Sequence, residues 1–241
     1  AWEGEANKVA QNIYIAGSEA GNGKSVITLR IMEHLASKGH RVAIFRPVVH
    51  AAQGHDRLIH LIATRYNLGT DYDCFGGVTY DMMRQLVVDG RIDELHSRII
   101  AKYRTLQADY EYIVCVGTDY SGVAAPLEFE FNADVANNLN CMIMPVINAS
   151  DKTPAQGGGA AGVMLESLEI QNCEVLAVVA NRTAPEQLQA VQDAMAEGLP
   201  ENVPVYVLPA APILSNPTVG EIADALNAPP VTPNQAGLNR K

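Results

Sequence analysis

The residues best suited to chemistry stand in the stretch GSEAGNGKS, from Gly17 to Ser25. Glycines let a chain turn so that successive backbone N–H groups point at one anion, and a lysine ammonium can then reach the outer phosphates of a nucleotide. The stretch follows the apolar run NIYIA and opens a sequence with helical spacing, which is the context that a phosphate-binding loop requires. The predicted nucleotide-binding residues are Gly17, Ser18, Gly21, Asn22, Gly23, Lys24 and Ser25, with the hydroxyl of Ser25 available to Mg²⁺.

The spacing of this loop departs from the common pattern G-x-x-x-x-G-K-[ST]. Its first glycine, Gly17, stands one position too early, and Ser18 occupies the place of the usual glycine. A chance G-K-S in a surface turn is the alternative interpretation. The order of apolar run, loop and helical segment argues against that alternative, because a phosphate-binding loop needs a strand before it and a helix after it.

A second glycine-rich stretch, PAQGGGAAG over Pro154–Gly162, spells the dinucleotide fingerprint G-x-G-x-x-G at Gly157, Gly159 and Gly162. A dinucleotide-binding turn follows its strand at once and has an acidic partner about 20 residues later. Here the polar segment NASDKTPAQ extends from the preceding apolar run to the first glycine, and the position of the acidic partner falls near Val179 in another apolar run. We therefore interpret the stretch as a mobile loop.

The chain is long enough to bury a sizeable core, and acidic residues outnumber basic ones. Its 241 residues are 48% hydrophobic and carry a formal net charge of −10. No apolar stretch approaches the ~20 residues that span a bilayer, and the start AWEGEANKVAQ lacks the pattern of a signal peptide. Nucleic-acid contacts need clustered lysine and arginine. We expect a cytoplasmic protein with neither nucleic acid nor membrane as a partner.

The cysteines give a further indication of compartment. Cys74, Cys115, Cys141 and Cys173 lie far apart in the sequence and form no C-x-x-C pair. This pattern favours reduced, buried thiols over a metal site.

Short, nearly continuous apolar runs alternate with amphipathic segments along the chain. Such runs are typical of strands covered on both faces, and the alternation is typical of parallel β-α-β units. The predicted strands are Asn12–Ala16, Arg41–Phe45, Tyr112–Val116, Cys141–Ile147, Glu174–Ala180 and Val203–Leu208. The predicted helices are Lys24–Ser37, Asp56–Tyr66, Tyr80–Val88, Ile92–Ala108, Phe131–Leu139, Gly162–Ile170, Pro185–Ala196 and Val219–Leu226. We predict an α/β fold with a doubly wound, mostly parallel sheet over residues 1–226, and a proline-rich linker to a downstream domain over 227–241.

Several stretches, together with the spacing of the loop, resemble dethiobiotin synthetases. Those enzymes carry G-T-x-T-x-x-G-K-[ST], with a step of six positions between the glycines, and the step from Gly17 to Gly23 is also six. The stretch VAIFRPV resembles their second strand, and GHDRLIHLIA resembles the following segment, whose Asp can hold the metal. The stretch EVLAVVANR resembles a late strand that ends in Asn, which reads adenine in that superfamily.

Longer stretches resemble one group of proteins more specifically. GRIDELHSRIIAKYRTLQADYEYIVCVGTDYSG and FEFNADVANNLNCMIMPVINA closely resemble the N-terminal domain of long-form phosphate acetyltransferases. LPAAPILSNPTVGEIADAL resembles the segment that leads to their middle domain. Nearly the whole chain therefore resembles the dethiobiotin-synthetase-like P-loop domain at the N-terminus of those enzymes.

The resemblance implies a P-loop NTPase-like fold, a homo-oligomer, contacts with downstream domains of the same chain, and ATP, another adenine nucleotide or NADH as ligand, with Mg²⁺ as the candidate metal. It adds Arg46, Asn181 and Arg182 to the ligand-binding residues and Asp56 to the metal ligands. Alternatives stay open for these residues: Asn181 can simply end its strand, Arg182 can lie on the surface, and Asp56 can belong to a solvated helix face. The stretch FEFNAD is expected to lead into a helix and not to line a pocket.

The departures from the synthetase pattern fall on its chemistry. Lys24 is kept, but Arg46 replaces the lysine of the second strand, and the loop Thr and Glu of the synthetases correspond to Ala20 and Gly21. The glutamate at the end of the fourth strand falls on Val116, which cannot bind a metal. Losing one charge partner of a transition state costs about 3–4 kcal/mol. We therefore expect nucleotide binding without efficient ligase catalysis.

Three functions follow as hypotheses. The first is a regulatory nucleotide-binding domain of a phosphate acetyltransferase, an enzyme of acetate metabolism that transfers acetyl groups between coenzyme A and phosphate; this stretch would have no acetyltransferase site of its own. The second is an ATP-dependent cyclo-ligase or ATPase of the dethiobiotin-synthetase type. The third is a degenerate scaffold that binds no nucleotide and supports oligomer contacts.

Overall fold

The computed structural model describes residues 11–17, 21–49, 56–69, 71–118, 125–216 and 219–228. Its strands are β1 (Gln11–Gly17), β2 (Val42–Val49), β3 (Gly76–Thr79), β4 (Tyr112–Val116), β5 (Met142–Asn148), β6 (Val178–Thr183) and β7 (Val205–Pro209). Its helices are α1 (Lys24–Ser37), α2 (Arg57–Tyr66), α3 (Tyr80–Val88), α4 (Ile92–Gln107), α5 (Ala125–Asn138), α6 (Pro154–Ile170), α7 (Leu188–Gly198), α8 (Pro212–Ser215) and α9 (Val219–Ala225). Short 3₁₀ turns cover Tyr72–Phe75 and Pro185–Gln187.

The strands form one seven-stranded sheet in the order β3-β2-β4-β1-β5-β6-β7, and its paired strands run parallel. The connections after β1 and β2 run toward the β3 edge, whereas those after β3, β4, β5 and β6 run toward β7. Right-handed crossovers then put α1 and α2 on one face and α3 to α7 on the other. The predicted doubly wound α/β fold is confirmed.

This winding makes the carboxyl end of β1 the natural place for a ligand. The chain leaves β1 for one face of the sheet, while it leaves the neighbouring strands β4 and β5 for the opposite face. A crevice opens where neighbouring connections diverge in this way, and α/β proteins bind ligands there. Gly17, the last residue of β1, stands at this crevice.

The core consists of apolar side chains on both faces of the central strands. Tyr14, Ile15, Phe45 and Val114 are buried, as the continuous apolar runs predict. All four cysteines are free; Cys115 and Cys141 are buried, and the other two are half-buried. Burial raises the pKa of the Cys115 thiol well above its usual value, which makes it a poor nucleophile. Among the described helices, none has the length and apolar character that crossing a membrane requires.

Most element bounds agree with the predictions to within a few residues, and the main differences have local causes. Strand β3 was not predicted, because its stretch GGVT contains two glycines, residues that strands usually lack. The glycine at position 77 is needed there, because a Cβ would overlap the carbonyl oxygen of Pro47 on the neighbouring strand. Strand β6 begins later than predicted and continues through polar residues to Thr183, with an irregular register after Ala180. The predicted linker over 227–241 falls mostly outside the described residues and stays a prediction.

The interpretation of Pro154–Gly162 as a mobile loop is wrong, because these residues form the first turns of α6. A capping box starts the helix: the Thr153 hydroxyl accepts the N–H of Gln156, and the Gln156 side chain accepts the N–H of Thr153. Three of the glycines, at positions 157, 158 and 162, face α7, where a Cβ on Gly158 would stand 2.6 Å from the carbonyl oxygen of Ala194. Their small size thus serves a close helix–helix contact, and the match to a dinucleotide fingerprint is coincidental.

Two neighbouring glycines of α6 provide a test of this contact. Gly158→Ala should lower the free energy of unfolding by about 1–3 kcal/mol, because the methyl group must push α7 away. Gly159→Ala should raise it by up to about 1 kcal/mol, since Gly159 is exposed, nothing lies within 4 Å of the added Cβ, and alanine favours the helix. Urea denaturation of both variants measures the difference. Equal effects of the two substitutions would contradict the close packing.

Candidate functional site

The described end of the segment between β1 and α1 has backbone conformations that favour glycine. Gly21 and Gly23 have φ angles of 73° and 87°, in the left-handed region that favours glycine. A Cβ on Gly17 would overlap the side-chain amide of Asn22, so glycine is required at the position that looked misplaced in the sequence. Ser18, a predicted ligand residue, lies outside the described residues.

Two buried carboxamides hold the end of this loop. Asn22 is 1% exposed, and its Oδ1 accepts the backbone N–H of Lys24 at 3.2 Å. The backbone carbonyl of Asn22 accepts Nδ2 of Asn181 at 2.8 Å, across from β6. A Cβ on Gly23 would overlap that same Asn181 amide. The amide of Asn181 therefore fits directly against the loop.

Lys24 begins α1 and points its ammonium into the protein. The residue is 3% exposed, and Nζ donates to the carbonyl oxygen of Thr118 at 3.1 Å, just beyond the end of β4. Ser25, the next residue, is exposed on the first turn of α1. A buried ammonium beside the N-terminus of a helix attracts anions strongly, because the helix dipole and the low dielectric act in the same direction.

The end of β4 is fixed by a residue that the sequence analysis did not select. Oδ1 of Asn132 accepts both the Tyr14 hydroxyl at 2.7 Å and the N–H of Thr118 at 3.2 Å. The residue lies within α5, which begins at Ala125, so FEFNAD is itself helical, whereas the prediction had it lead into a helix that starts at Phe131. The only sequence signal was a residue of poor helix propensity among apolar neighbours.

Asn181 and Arg182 lie side by side at the edge of a cavity of ≈ 440 Å³. Arg182 has a φ of 61°, and the register shift between Ala180 and Thr183 interrupts the regular alternation of the strand. Both side chains therefore line the same cavity. For a non-glycine residue, left-handed backbone costs roughly 1–2 kcal/mol, and such strain often marks a ligand site.

The cavity lies between the start of α1 and the end of β7. Its other lining residues are Gly23, Val26, Ile27, Arg30, Ser150 and Leu208–Pro212. The walls are mostly apolar, and the described lining residues include two arginines and no residue with a carboxylate side chain. Its volume is within the range of small-molecule sites, and an apolar slot beside a phosphate-binding turn suits a flat aromatic ring.

Arg46 and Asp56 form a separate pair. Nη1 of Arg46 lies 2.7 Å from Oδ2 of Asp56, and both side chains are largely buried. Oδ1 of Asp56 accepts the backbone N–H groups of Leu58 and Ile59, which caps α2. In the described part of the chain, this pair makes its hydrogen bonds within itself and to α2, with none to the loop.

The pair bears on the predicted metal site. Both oxygens of the Asp56 carboxylate already accept hydrogen bonds, so a metal ion at that position would have to share them. Over the described ranges, no group of three or more His, Cys, Asp or Glu residues is arranged to hold a metal. The metal-binding roles of Asp56 and Ser25 stay predictions.

The loop passes a test of fit for a polyphosphate. Gly17 and Gly23 let the amides of Asn22 and Asn181 pack against the turn, and the helix N-terminus and the Lys24 ammonium supply positive charge. The buried hydroxyl of Thr118 has no hydrogen-bond partner in the described residues, which leaves a polar group for a ligand beside the ammonium.

Comparisons with known proteins agree with this geometry. A family model described as an AAA domain matches residues 11–222. The phosphate acetyltransferase of Synechocystis sp. is 31% identical over 223 residues, and that of Nitratidesulfovibrio vulgaris is 30% identical over 226 residues. Each alignment covers 91% of this chain and 32% of the relative, so the chain spans about a third of the length of these relatives.

Two further similarities are weaker, one to a dethiobiotin synthetase and one to a solved structure. The ATP-dependent dethiobiotin synthetase BioD of Staphylococcus epidermidis is 24% identical over 145 residues, which cover 56% of this chain and 64% of the synthetase. Among solved structures, the 54 kDa protein of the signal recognition particle from Aeropyrum pernix, in complex with GDP, has a TM-score of 0.55 at 12% identity. The superposition covers 84% of this chain and 42% of that one, and the likeness concerns the P-loop fold alone. The resemblance inferred from the sequence is confirmed: the chain belongs to the AAA domain family, as a dethiobiotin-synthetase-like P-loop domain.

Proposed function

We propose that this chain is a regulatory nucleotide-binding domain of a phosphate acetyltransferase, with an adenine nucleotide as its ligand. The observation that carries the proposal is the Lys24 ammonium, buried at the N-terminus of α1, with the preceding residue Gly23 lining the cavity. Similarity to phosphate acetyltransferases over 91% of the chain supports the assignment to such an enzyme. Acetyl transfer between coenzyme A and phosphate belongs to the longer protein.

Different groups of described residues would bind the different parts of a nucleotide. The loop N–H groups and Lys24 would hold the phosphates, and the apolar cavity would hold the base and ribose. Nδ2 of Asn181 is bonded to the loop, and its Oδ1 makes no described hydrogen bond, which leaves Oδ1 to accept the amino group of adenine. The Arg182 guanidinium would contact the nucleotide from the same side. Mg²⁺, held through Ser25, would neutralise phosphate charge.

The carboxyl end of β4 supports binding over catalysis. Val116, at the position of the synthetase glutamate, is 2% exposed and offers no ligand to a metal. The Asp56 carboxylate is bonded to Arg46 and to α2. Several transition-state contacts would thus be missing, while the contacts that bind phosphate remain. Binding of the nucleotide would then adjust the activity or the assembly of the longer protein.

A surface feature supports contacts with other domains or subunits. Tyr206 and Leu208 on the edge strand β7 are exposed, as are Ile213 of α8 and Ile222 of α9. Exposed apolar groups of this kind are typical of interaction surfaces. We include in the proposal that the chain contacts downstream domains and forms a homo-oligomer in the cytoplasm.

The second candidate is an ATP-dependent cyclo-ligase, favoured by the similarity to dethiobiotin synthetase BioD. It differs from the first candidate in turnover. A ligase releases ADP in the presence of a diamino substrate and bicarbonate, and Lys24→Ala would abolish that release. ADP release from the wild type no faster than from Lys24→Ala excludes this candidate, and release well above that background would replace our proposal.

The proposal predicts that nucleotide binding depends on Lys24. Calorimetric titration with ATP, ADP and NADH, with and without Mg²⁺, should give a clear heat signal for the wild type. Lys24→Ala should weaken the affinity at least about tenfold, because it removes a charge-assisted contact to the phosphates. Lys38→Ala, at the exposed other end of α1, is the matched control and should bind as the wild type does. Absence of binding by the wild type would favour the scaffold hypothesis.

Arg182 should show opposite effects on stability and on binding. Arg182→Gly relieves the left-handed backbone strain, so the melting temperature should stay constant or rise. The same change removes a cation from the cavity and should weaken nucleotide binding about fivefold or more. Asn172→Gly is the control, because Asn172 has a φ of 55° at an exposed position after α6. A lower melting temperature with unchanged affinity would show that Arg182 is structural.

A further inference from the structure

Asn132 joins β1, the end of β4 and α5 at a point beneath the Lys24 ammonium. The residue is 1% exposed, and one oxygen atom, Oδ1, accepts both the Tyr14 hydroxyl and the Thr118 N–H. Gly117 makes this approach possible, because a Cβ there would stand 2.5 Å from Oδ1 and 3.1 Å from the Tyr14 ring. The carboxamide thus fills the space that the glycine leaves open.

Thr118 links this carboxamide to the nucleotide loop. Its N–H donates to Asn132, and its carbonyl oxygen accepts Nζ of Lys24 at 3.1 Å. The backbone N–H and the carbonyl oxygen of Thr118 are therefore both hydrogen-bonded, the first to Asn132 and the second to Lys24. A movement of Thr118 changes the position of the oxygen on which the ammonium rests.

We propose that Asn132 is a positioning residue that sets, through Thr118, where the Lys24 ammonium stands, and thereby tunes the affinity for the outer phosphates of the nucleotide. The inference rests on the proposed nucleotide-binding function and assigns a role in it to a residue of α5. A lysine side chain has several rotatable bonds, and its ammonium is a compact charge without fixed orientation. Fixing the ammonium before the ligand arrives lowers the entropic cost of binding.

The surroundings of Asn132 argue for such a role. Its neighbours on α5, Ala133, Val135 and Ala136, are buried and apolar. Asparagine is a poor helix former compared with alanine or leucine, and an apolar side chain would pack in this helix without a polar group to satisfy. Compared with an apolar side chain, the carboxamide of Asn132 adds the hydrogen bonds to Tyr14 and Thr118.

The test compares ADP with AMP, because Lys24 reaches the outer phosphates and AMP has only the inner one. For the wild type, calorimetry should show tighter binding of ADP than of AMP. Asn132→Ala should weaken ADP binding about tenfold and AMP binding less than about threefold, since the misplaced ammonium affects the outer phosphate most. On a Lys24→Ala background, adding Asn132→Ala should change ADP affinity less than about twofold, because residues acting through one contact are not additive.

Asn12→Ala is the matched control for lost packing. Asn12 is 3% exposed and lies at the amino end of β1, at the opposite edge of the sheet from the loop. Its replacement should lower the melting temperature without changing the ratio of the ADP and AMP affinities. Tyr14→Phe is a milder second variant that removes only one donor to Oδ1, and it should lower the ratio about twofold to threefold.

The outcomes separate the two proposals. If the wild type binds neither ADP nor AMP, the proposed function fails and this inference fails with it. If the wild type binds ADP but Asn132→Ala leaves the ratio unchanged, only the positioning role is overturned. Where Asn132→Ala does not fold, the ratio for Tyr14→Phe decides: a ratio equal to that of the wild type overturns the inference, and a lowered ratio supports it.

Discussion

The site depends on one buried ammonium at the start of one helix. Lys24 is 3% exposed, and its Nζ rests on the carbonyl oxygen of Thr118. Burying a positive charge costs desolvation free energy, and an anion bound in the same environment would offset that cost. The helix N-terminus adds partial positive charge at the same place. The switch of connections at β1 puts this charge at the open carboxyl edge of the sheet, where a ligand can enter.

Three buried asparagines keep the loop in shape around that charge. Asn22 binds the first peptide N–H of α1, Asn181 holds the loop from β6, and Asn132 holds the end of β4 from α5. A carboxamide can donate and accept at once without bringing charge into the core. Glycines at positions 17, 23 and 117 leave the space for these side chains, so the asparagines and glycines act as matched pairs. The glycine at position 17 has its physical explanation in this packing.

Under the proposed function, a domain that has lost catalytic groups and kept binding groups would serve the activity of a longer protein. The polar contacts that would bind phosphates are backbone groups and one lysine, and they do not depend on the carboxylate that Val116 replaces. Arg46 and Asp56, which resemble catalytic groups in the sequence, neutralise each other and cap α2. The cavity wall at Leu208–Pro212 belongs to the chain that leads from β7 into α8. A ligand in the cavity would therefore contact the segment that runs toward any downstream domain.

Local periodicity and short motifs were enough to predict the alternation of strands and helices, the loop between β1 and α1, and the family from the sequence. The sequence predicted α1 and α3 with the correct bounds and α2 to within one residue at its start. It failed for β3, for the helical glycines of α6 and for Asn132. In each of these cases a side chain or its absence matters only through a partner distant in the chain: Pro47 for β3, Ala194 for α6, and Tyr14 and Thr118 for Asn132. Only the tertiary structure decided these roles, because close packing across elements overrides local propensity and leaves no periodic signal in the sequence.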